Sequence, residues 1–277
     1  MVTSEIGPPK GIDTKQLLED AELIRSRVDA INVTDLQSSV MRLGSLAVCF
    51  LLKQNGFEPI YQLTCRDRNR LALQSDILSA AALGIENLLL LTGDHPALGD
   101  HPEAKPVFDL DSVQLLQVVK RLQEGFDMKG NKLIGEPPKF CMGGVVNPGA
   151  DPLEPQLMKM EKKIAAGAEF FQTQAVYDLK VFENFMNKTR HLKTKIMAGI
   201  VLLKSAGMAR YMNKNVAGVT VPDNLIKEME EAKDKPAQSV EIASRLIREL
   251  KPACDGVHVM PIGWDKIVPR VLDASNL

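Results

Sequence analysis

Eight short apolar runs punctuate the chain, and each is followed by a segment with helical spacing. The run from Asn87 to Leu91 (NLLLL) shows the pattern best, ending abruptly in Thr92, Gly93 and Asp94. A continuous apolar stretch of this length, without polar alternation, reads as a strand buried on both faces, which belongs to a parallel sheet covered by helices. Strands are expected over residues 1–6, 30–35, 58–65, 87–93, 139–148, 169–177, 195–203 and 255–263. Between them, Asp13 with Gln16 forms a capping-box pattern before a stripe of Leu17, Leu18, Ala21, Ile24 and Val28. Further helices are expected over residues 38–54, 70–83, 112–124, 154–166, 179–190, 205–214, 222–233, 238–250 and 265–274. Gly56, Gly84 and Gly167 stand where three of these helices should stop. Eight strands alternating with helices point to a (β/α)8 TIM barrel. The competing doubly wound sheet usually carries a GxGxxG turn after its first strand, and none occurs. No repeat, linker or low-complexity stretch divides the chain, so a single domain over residues 1–277 is expected.

Charge excludes more than it selects. Lys and Arg number 34 against 35 Asp and Glu, which offers no electrostatic footprint for nucleic acid or an anionic membrane surface. No run reaches the length of a membrane span, and MVTSEIGPP has no apolar core of a secretion signal, so a cytoplasmic protein is expected. Cys49, Cys65, Cys141 and Cys254 lack metal-site spacing and read as buried structural thiols. His95, His101, His191 and His258 show no metal-ligand spacing either.

In a barrel, chemistry gathers at the C-terminal ends of the strands. That rule assembles a ring of Glu5, Thr34, Thr64, Asp94, Asn147 and Gln174. The last two strands end in Leu202, Leu203, Met260 and Pro261, so the ring should be polar on one arc and apolar on the other. Such a mouth suits a flat heteroaromatic ligand with one hydrogen-bonding edge. Glu5 is either a solvated N-terminal glutamate or, in an apolar mouth that favours its protonated form, a general acid. Asp94 either caps the next turn or accepts paired N–H donors from a ligand. Gln172 and Gln174 share a face; alone they read best as a core network. Lys163, near a helix end, reads on its own as solvated. Arg66, Arg68 and Arg70 form either a solvated loop or an anion clamp, and Gly143-Gly144 should let a neighbour approach closely.

Taken together, these residues resemble the methylenetetrahydrofolate reductase family, a family of flavin-dependent (β/α)8 barrels. The likeness runs over nearly the whole chain. Glu5-Ile6-Gly7-Pro8-Pro9 is similar to the family's Glu-x-x-Pro-Pro opening, and Asn32-Val33-Thr34 to its second-strand flavin-contacting threonine. Gln62-Leu63-Thr64-Cys65 resembles His-Leu-Thr-Cys, and Leu91-Thr92-Gly93-Asp94 resembles Leu-Arg-Gly-Asp. Lys163 through Gly167-Ala168 to Thr173-Gln174 keeps the family spacing.

The resemblance implies Glu5 as general acid, Asp94 and Gln174 on the pterin edge with Asp94 also tuning the flavin, and Thr34, Gln62, Thr92, Gly93 and Lys163 around the flavin. It implies reduction of 5,10-methylenetetrahydrofolate to 5-methyltetrahydrofolate, and an oligomer or hetero-complex. Four positions depart from the family. Gln62 replaces a histidine and Thr92 an arginine, which leaves FAD, the family's cofactor, and FMN as alternatives. Leu203-Lys204-Ser205-Ala206 lacks a phenylalanine that lies over the nicotinamide, and Pro261-Ile262-Gly263 lacks an arginine. Those two changes argue against direct reduction by NAD(P)H. They favour the type found in acetogens and related anaerobes, in which electrons arrive through an iron–sulphur partner protein. Competing readings are another flavin barrel resembling proline dehydrogenase, a flavin-free folate reductase using a nicotinamide directly, and a non-catalytic folate- or flavin-binding subunit.

Overall fold

The computed structural model describes all residues from Met1 to Leu277. Eight parallel strands close into a barrel in sequence order. They are β1 (Val2–Ile6), β2 (Ala30–Val33), β3 (Pro59–Thr64), β4 (Asn87–Leu91), β5 (Cys141–Val146), β6 (Phe170–Ala175), β7 (Lys195–Val201) and β8 (Gly256–Met260). Closure is explicit in the register, where Thr3 of β1 pairs with Ala30 of β2 on one side and His258 of β8 on the other. The expected (β/α)8 architecture is therefore the one observed.

The helices are α1 (Lys15–Ile24), α2 (Ser45–Gln54), α3 (Arg70–Ala82), α4 (Ser112–Gln123), α5 (Glu154–Ala165), α6 (Leu179–Thr189), α7 (Ala206–Asn215), α8 (Asp223–Glu231), α9 (Lys235–Leu250) and α10 (Val268–Ala274). None is long and apolar enough to cross a membrane. Gly56, Gly84 and Gly167 follow α2, α3 and α5 with φ of 76°, 77° and 110°, a left-handed conformation that ends a helix at little cost only with glycine.

Three expectations fail locally. The helix expected over 38–54 begins only at Ser45, after a short 3-10 turn over Gln37–Ser39. Leu36, Ser38 and Ser39 there have positive φ, so tertiary contacts override the apolar spacing. The capping box at Asp13 and Gln16 does not form: Asp13 accepts the backbone N–H of Lys15, while Gln16 pairs with Asp20. A true capping box occurs instead at Asp111 and Gln114, ahead of α4. Val28 lies beyond α1, which ends at Ile24.

The main apolar core of 63 residues lies between the sheet and the helices. A separate cluster of Ala30, Ile60, Leu89, Phe170 and Met197 fills the barrel toward the N-terminal ends of the strands. Gly143 makes room for it: a Cβ there would sit 2.2 Å from the Phe170 ring. That plug leaves the opposite end of the barrel free for polar groups. Cys49 and Cys65 are buried, whereas Cys141 and Cys254 are only half-buried. Burial pushes the Cys65 and Cys141 thiols up to about 12 and 11, which keeps them unreactive near neutrality.

Candidate active site

The C-terminal strand ends enclose a cavity of about 460 Å³, within the range usual for small-ligand sites. Every residue of the expected ring lines it, from Glu5 on β1 to Gln174 on β6. Glu5 and Asp94 thus face one space although they lie far apart in the chain. The apolar arc is placed differently from expectation. Leu202 and Leu203 are buried elsewhere, and Pro261 lines a neighbouring cavity. Leu89, Leu91, Val145, Val146 and Met260 supply the apolar wall instead. β7 turns its end into the helical layer, with Tyr177 donating to the Val201 carbonyl.

Glu5 is 6% exposed, so the solvated reading fails. Its surroundings are polar rather than apolar. Oε1 accepts a hydrogen bond of 3.0 Å from the Gln37 amide, and Oε2 lies 3.9 Å from His258 Nε2. His258 Nδ1 is 2.8 Å from the Thr3 hydroxyl, which also accepts from Gln172. Where the Thr3 hydroxyl donates to Nδ1, the ring hydrogen sits on Nε2, on the side of Glu5. Gln172 and Asn32 complete the layer with a reciprocal amide pair at 2.8 and 3.0 Å. The core-network reading therefore holds for Gln172 but not for Gln174. A register shift between Gln172 and Ala175 turns Gln174 to the mouth, where its carbonyl accepts the Ala175 N–H and its amide N–H groups stay free.

Asp94 is exposed, and its carboxylate has no protein partner. Gly93 before it has φ of 91°, and a Cβ would press within 3.1 Å of Arg66 and Thr64, so only glycine lets the chain turn there. Thr92 uses its hydroxyl on the N–H of Ser112, at the start of α4. Thr64 gives its hydroxyl to Asp35, and Asn147 ties β5 to the Ala217 carbonyl. These three line the cavity but spend polar groups on the scaffold.

Lys163 departs most from its solvated reading. It is 3% exposed, lies across Gly144, and donates to the Val145 carbonyl at 2.7 Å. Burial, reinforced by the positive charge of Lys159, pushes its pKa down to about 8, while Asp111 opposes the shift. The arginine run is not a free clamp, and of the three only Arg70 is solvated. Arg66 pairs with Asp67, Arg68 with Asp35 and Asp76, and Arg70 with Asp109.

His258 and Gln37 were not singled out from the sequence. His258 had a usable signal, since it alternates with Gly256 and Met260 on one face of a strand. Gln37 had none, because its position depends on the left-handed turn. The cavity fits a flavin by its own chemistry. Thr34 Oγ1 is buried without a partner, the Gln62 side chain makes no protein hydrogen bond, and Lys163 supplies a buried cation.

Residues 1–276 match the family model for methylenetetrahydrofolate reductase. Methylenetetrahydrofolate reductase 2 of Schizosaccharomyces pombe is 24% identical over 239 residues, covering 78% of this chain and 35% of that protein. A probable methylenetetrahydrofolate reductase (NADPH) of Caenorhabditis elegans is 25% identical over 209 residues, covering 74% and 28%. The chain thus spans about a third of the length of these relatives. Among solved structures, an uncharacterized protein from Clostridium thermocellum that binds two copies of 5-methyl-5,6,7,8-tetrahydrofolic acid aligns with a TM-score of 0.64 at 16% identity. That alignment covers 100% of this chain and 94% of the other, a likeness of fold.

Proposed function

Because the chain belongs to the methylenetetrahydrofolate reductase family, we propose that it reduces 5,10-methylenetetrahydrofolate to 5-methyltetrahydrofolate with a bound flavin. The observation that carries the reading is that Glu5 and Asp94 line one cavity with Gln174, Thr34, Gln62 and Lys163. Opening the substrate's five-membered ring to an iminium requires a proton on the departing amine nitrogen. Glu5 delivers it: its carboxyl is held by Gln37 at the cavity edge. The free carboxylate of Asp94 accepts two N–H groups from the pterin's amino-pyrimidine edge, and the free amide of Gln174 donates beside it. Thr34, Gln62, Thr92, Gly93 and Lys163 hold the flavin, with Lys163 the cation beside it. When bound, the flavin supplies the hydride that reaches the iminium carbon; the protein supplies position and electrostatics. We read the cofactor as FAD and the electron source as an iron–sulphur partner protein.

The purified protein should show flavin absorption bands, and the mass of the released group separates FAD from FMN. Glu5→Gln should lower turnover by about a hundredfold or more, with binding of 5-methyltetrahydrofolate retained. A colourless preparation, or a Glu5→Gln enzyme of near-normal rate, defeats the reading.

A further inference from the structure

Glu5 does not open onto the mouth alone. A second cavity of about 330 Å³ lies behind it, bounded by the segment after β1, by α1 and by the turn after β8. Glu5 and Gln37 are the two residues common to both cavities, so their hydrogen bond is the partition between them. The side cavity is acidic. Asp13, Asp20 and Asp265 line it, and its one cation is Arg42, whose Nε is buried without a partner. Burial, with the charges of Asp20 and Glu5 added, outweighs a backbone hydrogen bond and Lys204 and raises the pKa of Asp265.

The turn that presents Gln37 is strained. Leu36, Ser38 and Ser39 have φ of 47°, 56° and 58°, where side chains other than glycine rarely settle. Neighbours hold it: Arg66 donates to the Leu36 carbonyl, Ser39 to the Asp94 carbonyl, and Asp100 accepts the Met41 N–H. Three strained residues tied down on several sides leave one amide aimed at one carboxylate.

The proposed reaction consumes one proton per turnover. It leaves Glu5 on the amine nitrogen and departs with the product, so the carboxylate must regain one from water. Folate and flavin fill the mouth during the step, which leaves the side cavity as the open approach. We propose that Gln37 is a positioning residue for Glu5, and that the side cavity behind the pair is the route along which Glu5 regains its proton from solvent. The proposal rests on Glu5 being the proton donor. Charged or titratable groups face Glu5 from every neighbouring element: His258 on β8, Asp265 after it, Asp13 and Asp20 around α1, Arg42 before α2, and Asp94 across the mouth.

Three variants test it in flavin-loaded enzyme, with reduced viologen as electron source and 5,10-methylenetetrahydrofolate as substrate. Gln37→Leu should slow the first turnover by about tenfold to a hundredfold through misplacement of the carboxyl. Folate affinity should be unchanged, so the loss falls on the rate of the step and not on binding. Gln16→Trp, at an exposed residue lining the side cavity, should leave the first turnover intact and slow the later ones, with a larger solvent deuterium isotope effect. If Gln37→Leu does not fold, Gln37→Asn, whose amide is one carbon shorter, is read in the same way. A wild-type first-turnover rate in the Gln37 variant, a loss there that lies in folate affinity, or unaltered cycling in Gln16→Trp overturns the proposal. Glu5→Gln separates the two levels. If it is inactive while Gln16→Trp cycles normally, the route alone falls; if it keeps full turnover, Glu5 is not the donor and both readings fall.

Discussion

At the scale of single residues, Lys163 shows how a site can oppose its own fold. Its ammonium is buried beside Lys159, which lowers its pKa from 10.5 to about 8. Below about pH 8 the lysine is charged in both the folded and unfolded chain, and the fold bears the whole cost. Between about 8 and 10.5 the unfolded chain still binds the proton and the folded one does not, so stability rises with pH across that window. The full difference is on the order of 3 kcal/mol. Lys163→Met in cofactor-free protein should therefore be the more stable chain at pH 7, less the lost bond to Val145, and its advantage should shrink toward pH 10.5. Urea unfolding at both pH values measures this, and a difference independent of pH counts against it. The variant should also bind flavin more weakly, which identifies what the strain is kept for. Glu5, Asp94 and Gln174 were legible as strand-end polar groups. Lys163 was not, because a helix lysine looks the same whether its stem lies over a glycine or in water; Gly144 decides which.

At the scale of elements, the buried strands and their glycine stops could be read directly, since an apolar run and a left-handed cap are local properties. The segment between β2 and α2 could not. Long-range contacts shape it, and at its start Asp35 ties the chain to distant neighbours. The Asp35 side chain is fully buried and accepts from the Thr64 N–H and hydroxyl, the Ser45 hydroxyl and the Arg68 guanidinium. Burial works against the charge of Arg68, yet Asp35 at 2.8 Å outweighs it and raises its pKa. One carboxylate thus joins β3, α2 and the arginine that also reaches Asp76 on α3. Asp35→Ala takes the acceptor from the buried Thr64 N–H and hydroxyl and leaves the half-buried Arg68 with Asp76 alone, and should cost about 3 kcal/mol. Arg70→Gln breaks a far more exposed pair with Asp109 and should cost under about 1 kcal/mol. Denaturant midpoints of the two variants make the comparison, and equal losses would mean that Asp35 is not the joint described.

At the scale of the whole molecule, the question is how electrons enter a barrel with one open face. The strands carry the candidate groups to a single mouth, and under the proposed function that mouth must admit folate, flavin and an electron donor. A nicotinamide needs a side chain to press it against the flavin. β7 provides none: Leu202 and Leu203 are buried, and the segment after them turns straight into α7, where Ser205 caps the helix by accepting the Met208 N–H. After β8, Ile262 and Gly263 take left-handed backbone conformations with φ of 50° and 77°, and no arginine stands there. With no side chain placed to clamp a dinucleotide after β7 or β8, the proposed function favours electron transfer from a docked protein over hydride transfer from a nicotinamide. Anaerobic mixing of the flavin-loaded chain with NADH or NADPH should therefore bleach the flavin more slowly than about 1 s⁻¹, the low end of ordinary turnover. A small one-electron reductant or a reduced iron–sulphur protein should bleach it promptly, because neither needs a binding groove. Fast bleaching by a nicotinamide alone would place the clamp somewhere other than the ends of β7 and β8, and the partner would then be unnecessary.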